Sequence, residues 1–258
     1  TTPDDVTTGD ANIIRRRWLP IDIDPKRAAG ISSSDEEHNR SIQKAEAVAS
    51  WLRDLGFPEP IFGDSGNGAH LLYRIDLPNT DLERDLIRRC LESIAFFHSD
   101  ETCVIDTSVF NAARIWKLYG TVARKGDSIP ERPHRRARLV SVPGVTELVG
   151  REVLEQLASR LPDPDYVTRQ QSEPYRTVTD AHGKKHPIDL REWLAEHDID
   201  VRKEKPWEDG VIFNLEQCPF SDAHRNGAYA IQFSNGNIFV ACHHNSCGGG
   251  KQRWPELR

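Results

Sequence analysis

The sequence has no methionine, and no apolar run approaches the ~18 residues that a membrane-crossing helix needs. A membrane span is excluded on that ground, and no membrane partner is expected. The start lacks the basic-then-apolar pattern of a secretory leader. Surplus positive charge is missing too: 40 acidic residues outweigh 34 basic ones, for a net charge of −6. That balance rules out a uniformly basic coat for nucleic acid. Cysteine is scarce and odd in number, five in 258 residues. With no leader, this excludes a disulfide framework and points to a reducing, cytoplasmic setting. A chain without methionine that opens abruptly at Thr1 reads as a piece of a longer protein. What is present is 37% hydrophobic and 29% charged, enough apolar material for one large domain or two smaller ones.

Periodicity divides the chain. After a polar stretch at 1–12, Arg15-Arg16-Arg17 leads into Trp18-Leu19-Pro20-Ile21-Asp22-Ile23-Asp24-Pro25. Ile alternates with Asp there as in a short strand, which Pro25 stops. Ser34 and Glu37 form a capping box ahead of a helical stripe of Ile42, Ala45, Val48, Ala49, Leu52 and Leu55. A glycine-rich turn from Gly63 to Gly68 feeds a strand over His70–Ile75. Thr80 and Glu83 form a second capping box, and Leu82, Leu86, Cys90, Leu91 and Ile94 stripe the helix it opens. Strands are expected at 103–106 and across 115–124, and a helix over Glu147–Leu161. These elements make a first domain over residues 1–161. Residues 162–210 are polar and rich in turn formers, and read as a linker with one short helix carrying Leu190, Trp193 and Leu194. Residues 211–258 form a separate Cys/His-rich unit.

Three sets of residues carry chemistry. Asp22 and Asp24 stand two apart on a strand, so both point to one face. Two carboxylates that close repel unless a cation lies between them, and short Asp oxygens suit Mg²⁺ or Mn²⁺. Asp106 at the end of another strand would complete a two-metal site for phosphoryl transfer. The plainer alternative is a solvent-facing strand and a turn-initiating Asp106. Ser65-Gly66-Asn67-Gly68-Ala69-His70 offers backbone N–H groups where a polyphosphate can dock, or else is a hairpin-like turn with an incidental histidine. Between Asn111 and Arg138, eight basic residues face two acidic ones. Lys125, Arg132, Arg135 and Arg136 in that stretch are candidates for nucleic-acid phosphates. Trp18 and Trp116 read as core.

The tail carries the third set. Cys218 and His224 precede, and Cys242 and Cys247 come after, two short strands around an Asn235-Gly236 turn. That is the order of a zinc ribbon, with His244 as a substitute for one ligand. A unit so small is expected to need the metal in order to fold.

A strand Asp-x-Asp, a glycine-rich turn leading to a strand histidine, and a third strand Asp resemble, in that order, the archaeo-eukaryotic primase superfamily. The nearest likeness is to primase-polymerases of phages, plasmids and mobile elements. The string from Asp106-Thr107-Ser108 through Ala113-Arg114 to Leu118-Tyr119-Gly120-Thr121 is similar to the stretch after the third catalytic Asp in that group. Arg132-Pro133-His134-Arg135 and Cys218-Pro219-Phe220 are similar to further parts of it. The resemblance covers residues 13–140 and, more loosely, the tail. It implies an α+β catalytic module with a mixed or antiparallel sheet, plus a zinc ribbon. It implies two Mg²⁺ or Mn²⁺ ions on Asp22, Asp24 and Asp106, and one structural Zn²⁺. His70 would contact the nucleotide's phosphates, with Ser65 and Gly68 in the turn, and Arg114 and Lys117 would lie near the triphosphate or primer end. The implied partners are a DNA template and primer, nucleoside triphosphates, and a helicase in the parent chain. Two positions depart from the pattern: Gly68 stands where relatives carry Ser two before the histidine, and Tyr119 where many have Pro. A two-metal nuclease and a non-catalytic nucleic-acid-binding fragment are the alternatives.

Overall fold

The computed structural model describes residues 7–161, 177–179, 185–207 and 209–258. The chain is mixed α+β with antiparallel sheets, and it divides into two compact units, Thr1–Ala158 and Ser159–Arg258.

In the first unit the Ile/Asp segment forms β1 (Arg15–Pro25), followed by α1 (Asp35–Asp54). The Ser34 hydroxyl accepts from the Glu37 N–H and the Glu37 carboxylate accepts from the Ser34 N–H, so the capping box is complete. β2 (Ile61–Asp64) and β3 (Ala69–Pro78) flank the glycine turn, and α2 (Asp81–His98) and β4 (Cys103–Ile105) come next. Thr80 caps α2, but Glu83 does not return the bond as the second capping box requires. Its buried carboxylate pairs with Arg151 instead. The expected strand at 115–124 is a loop, with only β5 (Val122–Ala123) paired, against β6 (Arg135–Arg136). β7 (Arg138–Ser141) and α3 (Arg151–Ala158), shorter than expected, close the unit.

The main sheet runs β4-β1-β3-β2-β7, with every pairing antiparallel. Alternation sorts its residues between two faces. Leu19, Ile21 and Ile23 of β1, with Leu71, Tyr73 and Ile75 of β3, are buried with Ala45, Val48 and Leu52 of α1 and Ile87, Leu91 and Ile94 of α2. Leu82, expected in the α2 stripe, is exposed. The opposite face receives the even-numbered residues: Trp18, Pro20, Asp22 and Asp24 of β1, and His70, Leu72, Arg74 and Asp76 of β3. Trp18 is therefore not core. Its ring is exposed, with the Arg74 guanidinium 5.4 Å from its centroid.

The second unit is larger than a ribbon. Residues 162–176 and 180–184 of the expected linker lie outside the described residues. The rest of that stretch is structured: β8 (Thr177–Thr179) pairs with β9 (Lys185–Pro187), and the predicted helix spans Leu190–Glu196. β10 (Val201–Trp207) is the edge of a four-stranded sheet with β11 (Gly210–Leu215), β12 (Ala228–Gln232) and β13 (Ile238–Cys242). A linker at 185–210 is thus corrected to part of the domain. Ile188, Leu190, Trp193, Leu194, Phe213, Ala230, Val240 and Trp254 form its core. No described helix is long and apolar enough to cross a membrane.

Candidate active site and metal centre

The register of the main sheet brings separate parts of the sequence to one place. Asp22 pairs with His70 across β1 and β3. On its other side the β1–β4 ladder runs Ile23 to Ile105, and the Asp106 N–H donates to the Asp22 carbonyl at 2.9 Å. Asp22 therefore lies between Asp106 and His70, and directly opposed antiparallel residues project to the same face. Asp24 is one step further along that face. Burial, and then the Asp22 charge, push the Asp24 carboxyl above its ordinary range, against pulls from Lys125, Arg27 and His70. Asp106 caps its own turn by accepting from the Ser108 N–H at 2.8 Å. Its other oxygen is 3.2 Å from Arg114 Nη2, so the Arg114 guanidinium pairs with this carboxylate. Lys117 is half-buried in the loop beyond it.

That loop also fixes His70. Trp116 Nε1 donates to the Tyr119 hydroxyl at 3.4 Å, and that oxygen is 2.9 Å from His70 Nδ1. The Trp116 ring lies 4.4 Å from the His70 ring, centroid to centroid. His70 Nε2 faces Asp22 Oδ1 at 3.4 Å. In the neutral ring, Nε2 carrying the hydrogen toward the carboxylate leaves Nδ1 to accept from the tyrosine O–H. Gly63 makes this possible, because a Cβ there would overlap the Tyr119 ring. Nothing in the sequence singles out Tyr119 and Trp116 as members of this site.

The glycine turn does not offer the free N–H groups expected of it. Gly66 N–H donates to Asp64 Oδ1 at 2.7 Å, and the Ser65 hydroxyl accepts from Gly68 N–H at 2.8 Å and Asn67 N–H at 3.4 Å. Short polar side chains close such turns on themselves. Ser65 is therefore spent inside the turn. Gly68 is required for packing, since a Cβ there would run into the Ile23 carbonyl and lie 3.3 Å from Asp24 Oδ1.

The basic segment is likewise corrected in part. Arg132 makes a two-pronged bond to Glu37 at 2.7 and 2.9 Å and donates to the Ser32 carbonyl. Arg135 donates to the Ser33 carbonyl and to Asp35, and Arg136 to the Gly120 carbonyl. Arg132 and Arg135 brace the entry to α1. Exposed Lys125 favours the charged form of Asp24.

In the second unit, one ligand atom each from Cys218, His224, Cys242 and Cys247 lies within 4.8 Å of all the others. Such a cluster can hold a metal such as zinc. Cys218 and Cys247 sulfurs are 3.8 Å apart, which matches the edge of a tetrahedron with Zn–S bonds of about 2.3 Å. His224 Nε2 is 3.1 Å from Cys247 Sγ, while its Nδ1 faces the Asn226 carbonyl at 3.2 Å. That outer bond fixes the tautomer a ligating Nε2 needs. His244 lies next to this set, stacked on His224 and 3.3 Å from Cys242 Sγ through Nδ1. Burial and the neighbouring sulfurs push the Cys242 thiol up to about 12, so the site strongly disfavours thiolates until a cation arrives. Among the described residues, this is the group whose ligand atoms gather so tightly.

No family model, curated protein or solved structure matches the chain.

Proposed function

We propose that the chain is the catalytic and zinc-bearing part of a primase-polymerase of the archaeo-eukaryotic primase type, joining nucleotides on a DNA template with release of pyrophosphate. The observation that carries this reading is Asp22 set between Asp106 and His70 on one sheet face, with Asp24 one step along. Carboxylate oxygens are the donor type that Mg²⁺ or Mn²⁺ takes, and burial, then the Asp22 charge, pushes the Asp24 carboxyl up. Asp22, Asp24 and Asp106 would hold two such ions, which would supply Lewis-acid stabilisation in phosphoryl transfer. The protein's own groups do the positioning. His70, steered by Tyr119, presents Nε2–H at the carboxylate rim, and Arg114 brings a guanidinium to the same rim. In this reading the template, the primer and nucleoside triphosphates are the partners, and a helicase belongs to the parent chain.

The test is extension of a labelled primer on a template with dNTPs and Mn²⁺. The wild-type chain is expected to add nucleotides. Asp22→Ala and Asp106→Ala are each expected to slow addition by ~10³-fold or more, with primer-template affinity within a few-fold of wild type. A shortened primer would identify a nuclease, and binding with neither reaction a non-catalytic module; either overturns the proposal.

A further inference from the structure

We infer that Arg27, buried beside Asp24 with one edge of its guanidinium unbonded, is a phosphate-binding residue, and that its anion is the polyphosphate of a nucleotide. The identity of that anion rests on the nucleotidyl-transfer reading; the binding of a phosphoryl oxyanion does not. Arg27 lies just past β1, where the Lys26 N–H bonds the Thr102 carbonyl at 2.7 Å and strand pairing ends. Its side chain is only 8% exposed. A guanidinium so deeply buried is expected to have its donors bonded. Yet Arg27 Nε and Nη2 are both buried with no hydrogen-bond partner.

The two nearby acids do not account for it. Asp24 Oδ1 is 3.9 Å from Nη2, beyond hydrogen-bond range. Glu37 feels the Arg27 charge, but its oxygens are taken by Arg132 and by the Ser34 N–H. Nε and Nη2 form one edge of the guanidinium, the edge that grips a phosphate or carboxylate with two parallel bonds. Lys125 adds a second positive charge that acts on Asp24. Two cations next to a proposed metal site match an anion with more than one charge, which a polyphosphate has and a lone carboxylate lacks.

Calorimetric titration of the full chain tests this, with Mg²⁺ present and three separate probes: inorganic tripolyphosphate, dATP and a single-stranded oligonucleotide. Arg27→Met is expected to weaken tripolyphosphate and dATP at least tenfold and to leave the oligonucleotide within twofold. Arg27→Lys keeps the charge without the two-donor edge, so it is expected to weaken both small ligands several-fold. Because an unbonded buried guanidinium destabilises the ligand-free fold, Arg27→Met is also expected to melt at or above the wild-type temperature. A purely structural arginine predicts the reverse. Unchanged tripolyphosphate affinity in Arg27→Met, wild-type affinity in Arg27→Lys, or a marked drop in melting temperature for Arg27→Met would each overturn the inference. Loss confined to the oligonucleotide would overturn the nucleotide assignment and move the oxyanion to a nucleic-acid backbone. A wild-type chain that extends no primer, with tripolyphosphate binding still dependent on Arg27, would sink the proposed function alone.

Discussion

At the Cys218 end of the chain, four ligand atoms converge to within 4.8 Å of one another. On the open face of the first sheet, three carboxylates share a face and are answered by side-chain cations: Arg114 at Asp106, and Arg27 and Lys125 at Asp24. Both sites gather groups whose charged forms disfavour each other, but they hold them differently. The thiols sit on β13, the segment before β12 and the turn after β13, so the fold that pairs those strands also closes the ligand set. The carboxylates are fixed by their strands, while their counter-charges come from loops. A closed set of four ligands leaves no open position and serves structure. In the proposed reading, a set neutralised by loop cations would exchange them for metal and substrate.

The largest difference should appear on removing one ligand from the closed site. Cys242→Ser is expected to abolish zinc in elemental analysis and to lower the melting temperature. The second unit has its own core of Trp193, Phe213, Val240 and Trp254. The loss should therefore fall well below the ~10–16 kcal/mol by which zinc folds an isolated finger, and the four-stranded sheet should keep its circular dichroism. Complete unfolding of the unit on chelation would show that the metal, not this core, holds it together. His244→Ala should retain the zinc; if it loses the ion, His244 and not His224 is the fourth ligand.

At the carboxylate face, removing a charged group should have the opposite sign. Asp24 is pushed above its ordinary value by burial and by Asp22. An acid whose folded-state value is raised binds protons more readily when folded, so stability falls as pH rises from the unfolded value through the folded one. Asp24→Asn is therefore expected to raise the melting temperature at pH 7 by roughly 1–3 °C. The gain should vanish below the ordinary aspartate value of ~3.9. A loss of stability at pH 7 would mean that Asp24 is a structural ion-pair member, and that the contrast with the cysteines fails.

The sequence exposes those features that depend on local spacing. Alternation places Asp22 and Asp24 on one face, the Ser34 box places α1, and Cys/His spacing selects four ligands that come together. Features set by pairing across the chain are not legible. The Asp22–His70 register needs β1 and β3 aligned, and nothing within either strand encodes the offset. β10 is hidden because Val201-Arg202-Lys203-Glu204-Lys205 is a charged edge strand, whose polarity protects an open edge and mimics a linker. The apolar stretch at 115–124 looks like a strand, but Trp116 and Tyr119 are apolar in order to pack on His70. Charge alone makes Arg132 and Arg135 look available for DNA; only the fold shows Glu37, Ser33 and Asp35 already occupying them.

That last reassignment leads to an effect on both stability and salt dependence. Arg132 bonds both oxygens of Glu37, and this holds the Glu37 carboxyl below its ordinary range. An acid whose folded-state value is depressed contributes stability above its unfolded value and loses it as pH falls through the folded one. Arg132→Gln is therefore expected to lower the melting temperature by a few degrees at pH 7, with the deficit shrinking below the ordinary glutamate value of ~4.3. A cation that contacts a nucleic-acid phosphate instead adds ~0.7–0.9 to the slope of log affinity against log salt. The bracing role predicts that Arg132→Gln leaves that slope within about 0.3 of wild type, while Lys125→Gln, at an exposed cation, flattens it by a full contact. If Arg132→Gln flattens the slope by ~0.7 or more and melts like wild type, the brace is a resting contact that DNA displaces. The basic segment would then regain the role its charge suggested.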